Sequence, residues 1–262
     1  MMMSILPRFR RRDNPGAAAT PATRSAARSH VGWVRALNED RVFERPDRQL
    51  WAVADGMGGH SGGDLAAEAV VDALHALSEQ PAPIADADVA TALQAANRSI
   101  CDRNEETRAT SGTTVVAAHA SNDLITIFWV GDSRAYLVRD GAVEQLTKDH
   151  SMVQNMVDAG LLSPAAAARH PQANIVTRAL GIDAEAAIDT RRVKLLPHDR
   201  ILLCSDGFSH SLREDDFRHR DVSPEASVDR LLANALRRDG SDNATLIVVE
   251  LCVPAARTEA EI

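Results

Sequence analysis

The chain has 262 residues and 45% hydrophobic content, enough to bury a full core as one large domain or two small ones. A formal charge of −8 argues against a general nucleic-acid binder, whose phosphate contacts need clustered Lys and Arg. Aromatics make up only 3% of the residues, so Leu, Val, Ile and Ala must carry most of the core.

The first residues carry Arg8, Arg10, Arg11, Arg12, Arg24 and Arg28 among Ala, Pro, Thr and Ser, a composition that cannot bury enough apolar area to fold. Residues 1–27 are therefore expected to be a disordered basic tail, ahead of one compact domain over 28–253 and a short flexible C-terminal tail over 254–262. Asp13-Asn14-Pro15-Gly16 stands where a secretory signal would need an apolar stretch. The Arg-rich, acid-poor pattern leaves an organelle-targeting or anionic-surface role as the alternative.

Ser29–Val34 and Val42–Glu44 read as short strands, and Leu50–Ala54 as a buried one. From Gly63 to Leu77 apolar residues recur at helical spacing, and Ala85–Cys101 repeats the pattern with Val89, Leu93, Ala96 and Ile100 on one face. The period then shortens. Thr113–Ala120, Leu124–Val130, Ala135–Arg139 and Val143–Leu146 form an antiparallel meander, with turns at Ser121-Asn122-Asp123 and Asp140-Gly141. Lys148–Leu162 returns to helical spacing. The polar, irregular segment after it, to Leu180, is either a flap over a neighbouring site or a packed helical excursion. Ala187–Val193, Arg200–Cys204 and Thr245–Leu251 are further strands, and Ser223-Pro224-Glu225 caps a helix running to Arg238. No period of 20 to 50 residues repeats, which excludes a solenoid. The pattern predicts an α+β fold of antiparallel sheets packed together and flanked by helices. No apolar run approaches the roughly 20 residues that cross a membrane, so a soluble protein without a membrane span is expected. Cys101, Cys204 and Cys252 lie far apart in apolar surroundings; buried free thiols suit a reducing, cytoplasmic setting.

Five acidic segments, each pinned by glycine or an amide residue, are scattered over this framework: Asn38-Glu39-Asp40, Asp55-Gly56-Met57-Gly58-Gly59-His60, Gly131-Asp132-Ser133-Arg134, Ser205-Asp206-Gly207 and Gly240-Ser241-Asp242-Asn243. Any one alone is ordinary turn chemistry. Several follow β-prone runs, which puts the aspartates at strand ends. Carboxylates repel one another and are costly to desolvate, so gathering several points to a hard divalent cation. Oxygen-only ligands favour magnesium or manganese over zinc.

The residues Gly32-x-x-Arg35-x-x-Asn38-Glu39-Asp40, Asp55-Gly-Met-Gly-Gly-His60, Ser111-Gly112-Thr113-Thr114, Gly131-Asp132-Ser133-Arg134-Ala135, Thr147-Lys148-Asp149, Ser205-Asp206-Gly207 and Asp242-Asn243 resemble, in order and spacing, the metal-dependent protein phosphatases of the protein phosphatase 2C family in their stand-alone bacterial form. The resemblance implies a central β-sandwich of two antiparallel sheets with a helix pair on each side, four layers in all, with a flap near the site. It also implies hydrolysis of phosphoserine and phosphothreonine in proteins with two Mg²⁺ or Mn²⁺ ions. By position, Asp55 would bridge the ions, with the Gly56 carbonyl on one and Asp206 and Asp242 on the other. Glu39 and Asp40 would hold ion-bound waters, and Asp132 with Asp206 a third, weaker ion. Arg35 stands at the phosphate-binding position, where a guanidinium matches phosphoryl geometry. Substrates would be phosphorylated proteins, opposed to a serine/threonine kinase, and the enzyme a monomer that binds no nucleic acid.

One departure is Met57, which stands where animal members carry the histidine that acts as general acid. His60, three residues later, is the candidate for protonating the leaving oxygen, or else orients a water or caps the following helix. Ser111–Thr114 is expected to satisfy backbone groups, Arg134 to pair with a carboxylate, Cys204 to be core, and Trp33 and Trp129 to be packing. The competing readings are a catalytically silent pseudo-phosphatase, against which Asp55, Asp206 and Asp242 are all present, and a two-metal nuclease, which would want a basic groove.

Overall fold

A computed structural model describes residues 23–58, 62–167, 169–217 and 223–252. The tail residues 1–22, the candidate proton donor His60 and residues 253–262 lie outside them. The chain begins with strands β1 (Thr23–His30), β2 (Asp40–Arg45) and β3 (Leu50–Met57), followed by helices α1 (Gly63–Ser78) and α2 (Asp86–Thr107). Strands β4 (Gly112–Thr113), β5 (Val115–Ser121), β6 (Leu124–Val130), β7 (Arg134–Arg139) and β8 (Ala142–Gln145) form the meander, and the short helices α3 (Met152–Asp158) and α4 (Pro164–Ala167) follow. The remainder is β9 (Asp189–Lys194), β10 (Arg200–Cys204), the one-turn α5 (Asp206–Ser209), α6 (Pro224–Arg238) and β11 (Ala244–Leu251).

The strands form two antiparallel sheets, one in the order β1-β11-β10-β7-β8 and the other in the order β2-β3-β5-β6-β9, with β4 on β3. Strand β10 shows why its sequence is apolar at nearly every position. Ile201 and Leu203 face the space between the sheets, against Trp51, Val53, Val116 and Ile127, while Leu202 and Cys204 face Val228 and Leu231 of α6. Successive side chains point to opposite faces, and both faces are covered. On the far side, Val70 and Leu74 of α1 and Leu93 and Ile100 of α2 pack on β3 and β5. The layers are helix, sheet, sheet, helix. Asp140 and Gly141 take φ of 51° and 81°, the left-handed pair that a two-residue hairpin requires. Ser223 accepts a hydrogen bond from Ala226 N and caps α6.

Four expectations change. The first strand begins at Thr23, inside the segment read as tail over 1–27: its Ala, Ser and Arg residues pair with β11, and Arg24 and Arg28 bond Glu250 and Asp229. The helix expected over Lys148–Leu162 is confined to Met152–Asp158, because the backbone of His150 bonds Gly131 and Thr177 and Ser151 bridges to Val176. Among the described residues, the outer layer on the β10–β11 side holds one long helix, α6, with the one-turn α5, rather than a matched pair; the acidic Glu214–Phe217 turn is fixed there by Arg238 on Asp216. Cys204 is buried, but Cys101 and Cys252 are only half-buried.

Candidate active site

The acidic segments meet at one end of the sandwich, where β3 and β10 finish and β2, β7 and β11 begin. Asp40 opens β2 directly opposite Asp55 near the end of β3, so two carboxylates share one face of adjacent strands. Like charges in that position oppose pairing. From the other sheet, Ser205 donates to Asp40 Oδ2 at 2.9 Å and accepts from Thr245 N at 3.0 Å, joining β2 to β10 and β11. Asp206 is the first residue of α5, and Asp242 lies two residues before β11.

The electrostatics are those of crowded acids. Burial, opposed in part by the Thr245 and Ser205 hydrogen bonds, raises the Asp40 carboxyl to about 7, with the charges of Asp206 and Asp242 adding to the rise. Burial and then the charges of Asp40, Asp206 and Asp132 hold Asp55 well above the usual carboxylate range. Asp132 is pushed up to about 8 by burial and by Asp206 and Asp149. Asp40 Oδ1 is buried without a hydrogen-bond partner. A buried, unpartnered oxygen in a cluster of mutually repelling acids fits a hard cation or its water. Among the described residues no three acids, thiols or imidazoles close into a finished cage.

Backbone packing fixes these groups. A Cβ on Gly56 would lie 2.1 Å from the Gly63 carbonyl oxygen, so α1 begins hard against the end of β3. Gly56 N donates to the Glu39 carbonyl, and the Glu39 carboxylate lies beside Gly63. Asn243, to which the sequence reading gave no role, is the clamp. Its Nδ2 donates to the carbonyls of Val31 (2.9 Å) and Leu37 (3.0 Å), and its Oδ1 accepts from Glu39 N at 2.8 Å. An asparagine following an aspartate at a strand start was the available signal.

Arg35 lies on the loop so clamped, and its Nη2 donates to Asp242 Oδ2 at 2.7 Å. The expected phosphate ligand thus rests on an expected metal ligand, at the mouth of the site. Asp132 sits in the β6–β7 turn behind Gly131, whose positive φ of 106° places it against Thr114. His150 holds that turn from both sides, donating from its backbone to Gly131 O and accepting at Nδ1 from Gly131 N. Arg134 makes a two-pronged pair with Asp149, at 2.9 and 2.6 Å. Thr113 donates to the Asp55 carbonyl, and Thr114 and Ser133 share a hydrogen bond. Arg134 and Thr113 thus meet the carboxylate and the backbone group expected of them, whereas the Thr114 and Ser111 hydroxyls bond the side chains of Ser133 and Asn104 instead. Trp129 is buried, with its indole N–H on the Lys148 carbonyl. Trp33, expected to serve packing, is largely exposed.

With this geometry in place, comparison with known proteins is informative. The family model described as "Protein phosphatase 2C" matches residues 27–245. The serine/threonine protein phosphatase PstP of Mycobacterium tuberculosis is 38% identical over 241 residues, covering 90% of this chain and 46% of the relative. The chain thus spans about half the length of that protein. The serine/threonine phosphatase stp of Listeria monocytogenes is 37% identical over 241 residues, covering 85% of this chain and 94% of the relative. A crystal structure described as the catalytic domain of PstP in complex with two manganese ions superposes with a TM-score of 0.77 at 36% identity, covering 88% of this chain and 99% of that one.

Proposed function

Since the chain belongs to the protein phosphatase 2C family, we propose that it hydrolyses phosphoserine and phosphothreonine in proteins with the Mg²⁺ or Mn²⁺ on which that family depends. The observation that carries the reading is the facing pair of acids, buried Asp40 and half-buried Asp55, with one Asp40 oxygen left unpartnered. Asp55, Gly56, Asp206 and Asp242 would hold two ions, Asp132 would serve a third, and Glu39 and Asp40 would hold waters. When bound, the ions supply the positive charge and Lewis acidity that let water attack phosphorus at neutral pH.

The chain's own residues do the rest. Arg35 is half-exposed at the mouth of the site, and its guanidinium is matched to phosphoryl oxygens as well as to Asp242. A cysteine nucleophile has no place here: Cys204 is fully buried, and burial raises its thiol far above the range in which a thiolate forms. His60 is the proposed donor to the leaving serine or threonine oxygen. The catalytic domain would run from Thr23 to Cys252, acting as a cytoplasmic monomer on targets of a cognate serine/threonine kinase. The test is Mn²⁺-dependent phosphate release from a phosphothreonine peptide by wild type beside Asp206→Asn. We expect a loss of at least 100-fold on the order seen when charge stabilisation is removed; equal rates would sink the assignment.

A further inference from the structure

The loop joining β1 to β2 exposes large apolar side chains outside the core. Trp33 is 67% exposed, Val34 74% and Leu37 55%. Loose loops expose such groups through mobility, but this one is fastened. Asn243 holds it at Val31 and Leu37. Trp33 N donates to Gly240 O at 2.7 Å, the indole N–H donates to Leu236 O at 3.1 Å, and the His30 ring stands edge-on at 4.9 Å. A Cβ on Gly240 would lie 2.3 Å from the Trp33 ring, so the neighbouring backbone is shaped to the indole. The tryptophan is locked in place with its face to solvent. A fixed exposed apolar patch beside a site marks a binding surface.

We propose that this surface receives apolar side chains next to the phosphorylated residue of a protein substrate, so that phosphosites with apolar neighbours are selected. The inference rests on the phosphatase reading. Arg35 lies within the patch, two residues from Trp33 and two from Leu37. In an extended peptide, neighbouring residues advance by about 3.3 Å, so those flanking a phosphoresidue on Arg35 land on the patch. Arg35 is the only cation between Val31 and Asn38, and it is shared with Asp242. Glu39, Asp206 and Asp242 next to it disfavour acidic flanks. An apolar flank meets both conditions.

The test compares two phosphothreonine peptides that differ only in carrying leucine or serine on both sides of the phosphoresidue. Values of kcat/KM with Mn²⁺ are each divided by the value for p-nitrophenyl phosphate, which normalises for the integrity of the acidic cluster. Wild type should favour the leucine peptide roughly tenfold. That ratio should fall to about twofold or less in Trp33→Ser, and equally in Val34→Ser/Leu37→Ser, whose changes leave the loop's fastening bonds in place. Leu161→Ser, at an apolar position exposed outside this loop, should keep the wild-type ratio. No preference in wild type, or a preference that survives both loop variants, overturns the surface while leaving the activity standing. A concentration-dependent dimer in light scattering that the loop variants abolish would assign the face to a second copy and overturn it as well. Absence of turnover on every substrate overturns the phosphatase reading, and this surface with it.

Discussion

Replacing Asp40 by Asn separates what a buried acid costs the fold from what it does in the site. The carboxyl titrates near 7 in the folded protein against an ordinary 3.8. Between those values the folded state holds a proton that the unfolded chain has released, so stability falls as pH rises through the window, and the loss is complete above about 7. A gap of about 3 pH units corresponds to roughly 4 kcal/mol at pH 8, and to less than half of that at pH 5. Asparagine has the same shape, still accepts from Ser205 and carries no charge. In chelator, the variant should therefore be more stable than wild type to urea by about 2–4 kcal/mol at pH 8, with the difference shrinking toward pH 5. Added MnCl₂ should narrow the difference. A ligand at 100 times its dissociation constant stabilises by about 2.7 kcal/mol, and the variant should gain less because it no longer holds the ion's water through a carboxylate. If the two proteins keep the same urea midpoints in chelator from pH 5 to 8, the carboxyl carries no burial cost. If Mn²⁺ then stabilises both equally, Asp40 is not part of the cation site.

Two further predictions concern charges placed differently. Arg35 and Asp242 are both partly exposed, and such a pair contributes roughly 0–1 kcal/mol. Arg35→Ala should leave the urea midpoint nearly unchanged while lowering kcat/KM for a phosphopeptide about 100-fold, through loss of a charge-assisted contact with phosphate; a destabilised but fully active variant would refute its role. Arg200 bonds Glu250 across β10 and β11 at 3.0 and 2.7 Å, with both side chains almost wholly buried, and also reaches Ser227 on α6. Glu250→Gln should cost about 1–3 kcal/mol in urea unfolding and leave phosphopeptide turnover intact; a loss below about 0.5 kcal/mol would show that the pair does not anchor the helix.

The strands of this fold were legible because each sheet is covered on both faces, which forces continuous apolar runs such as Ile125–Val130 and Ile201–Cys204. Helices α1, α2 and α6 were legible from their periodicity and from local punctuation such as Ser223-Pro224. Where the reading failed, long-range contacts outweighed local preference. Thr23–Ala27 has no hydrophobic pattern, yet it pairs with β11, whose partner is not visible from either segment alone. Lys148–Ser151 has helical spacing but is drawn out by bonds to Gly131, Val176 and Thr177. In the site, the acids proposed to hold metal announced themselves by residue type and spacing. Asn243 and Ser205 did not, because their contribution is to which backbone groups they tie together. Trp33 was misplaced for a related reason: composition favours burying an aromatic, and only the contacts of Gly240 and Leu236 show one held outward.

Asp40 and Asp55 stand on strands of one sheet, whereas Asp206 follows β10 and Asp242 precedes β11 of the other, with Asp132 in the turn that passes between them, and the gap is set by the inter-sheet layer of Trp51, Val53, Val116, Leu137, Leu203 and Ile247. An ion held as proposed would therefore be a clasp closing one end of the sandwich, with the apolar layer as its spacer. Packing changes that shift one sheet against the other will be read out as changes in ion affinity at a distance, with no site residue touched. In such an architecture, how tightly the cation is held becomes a gauge of how well the core is packed.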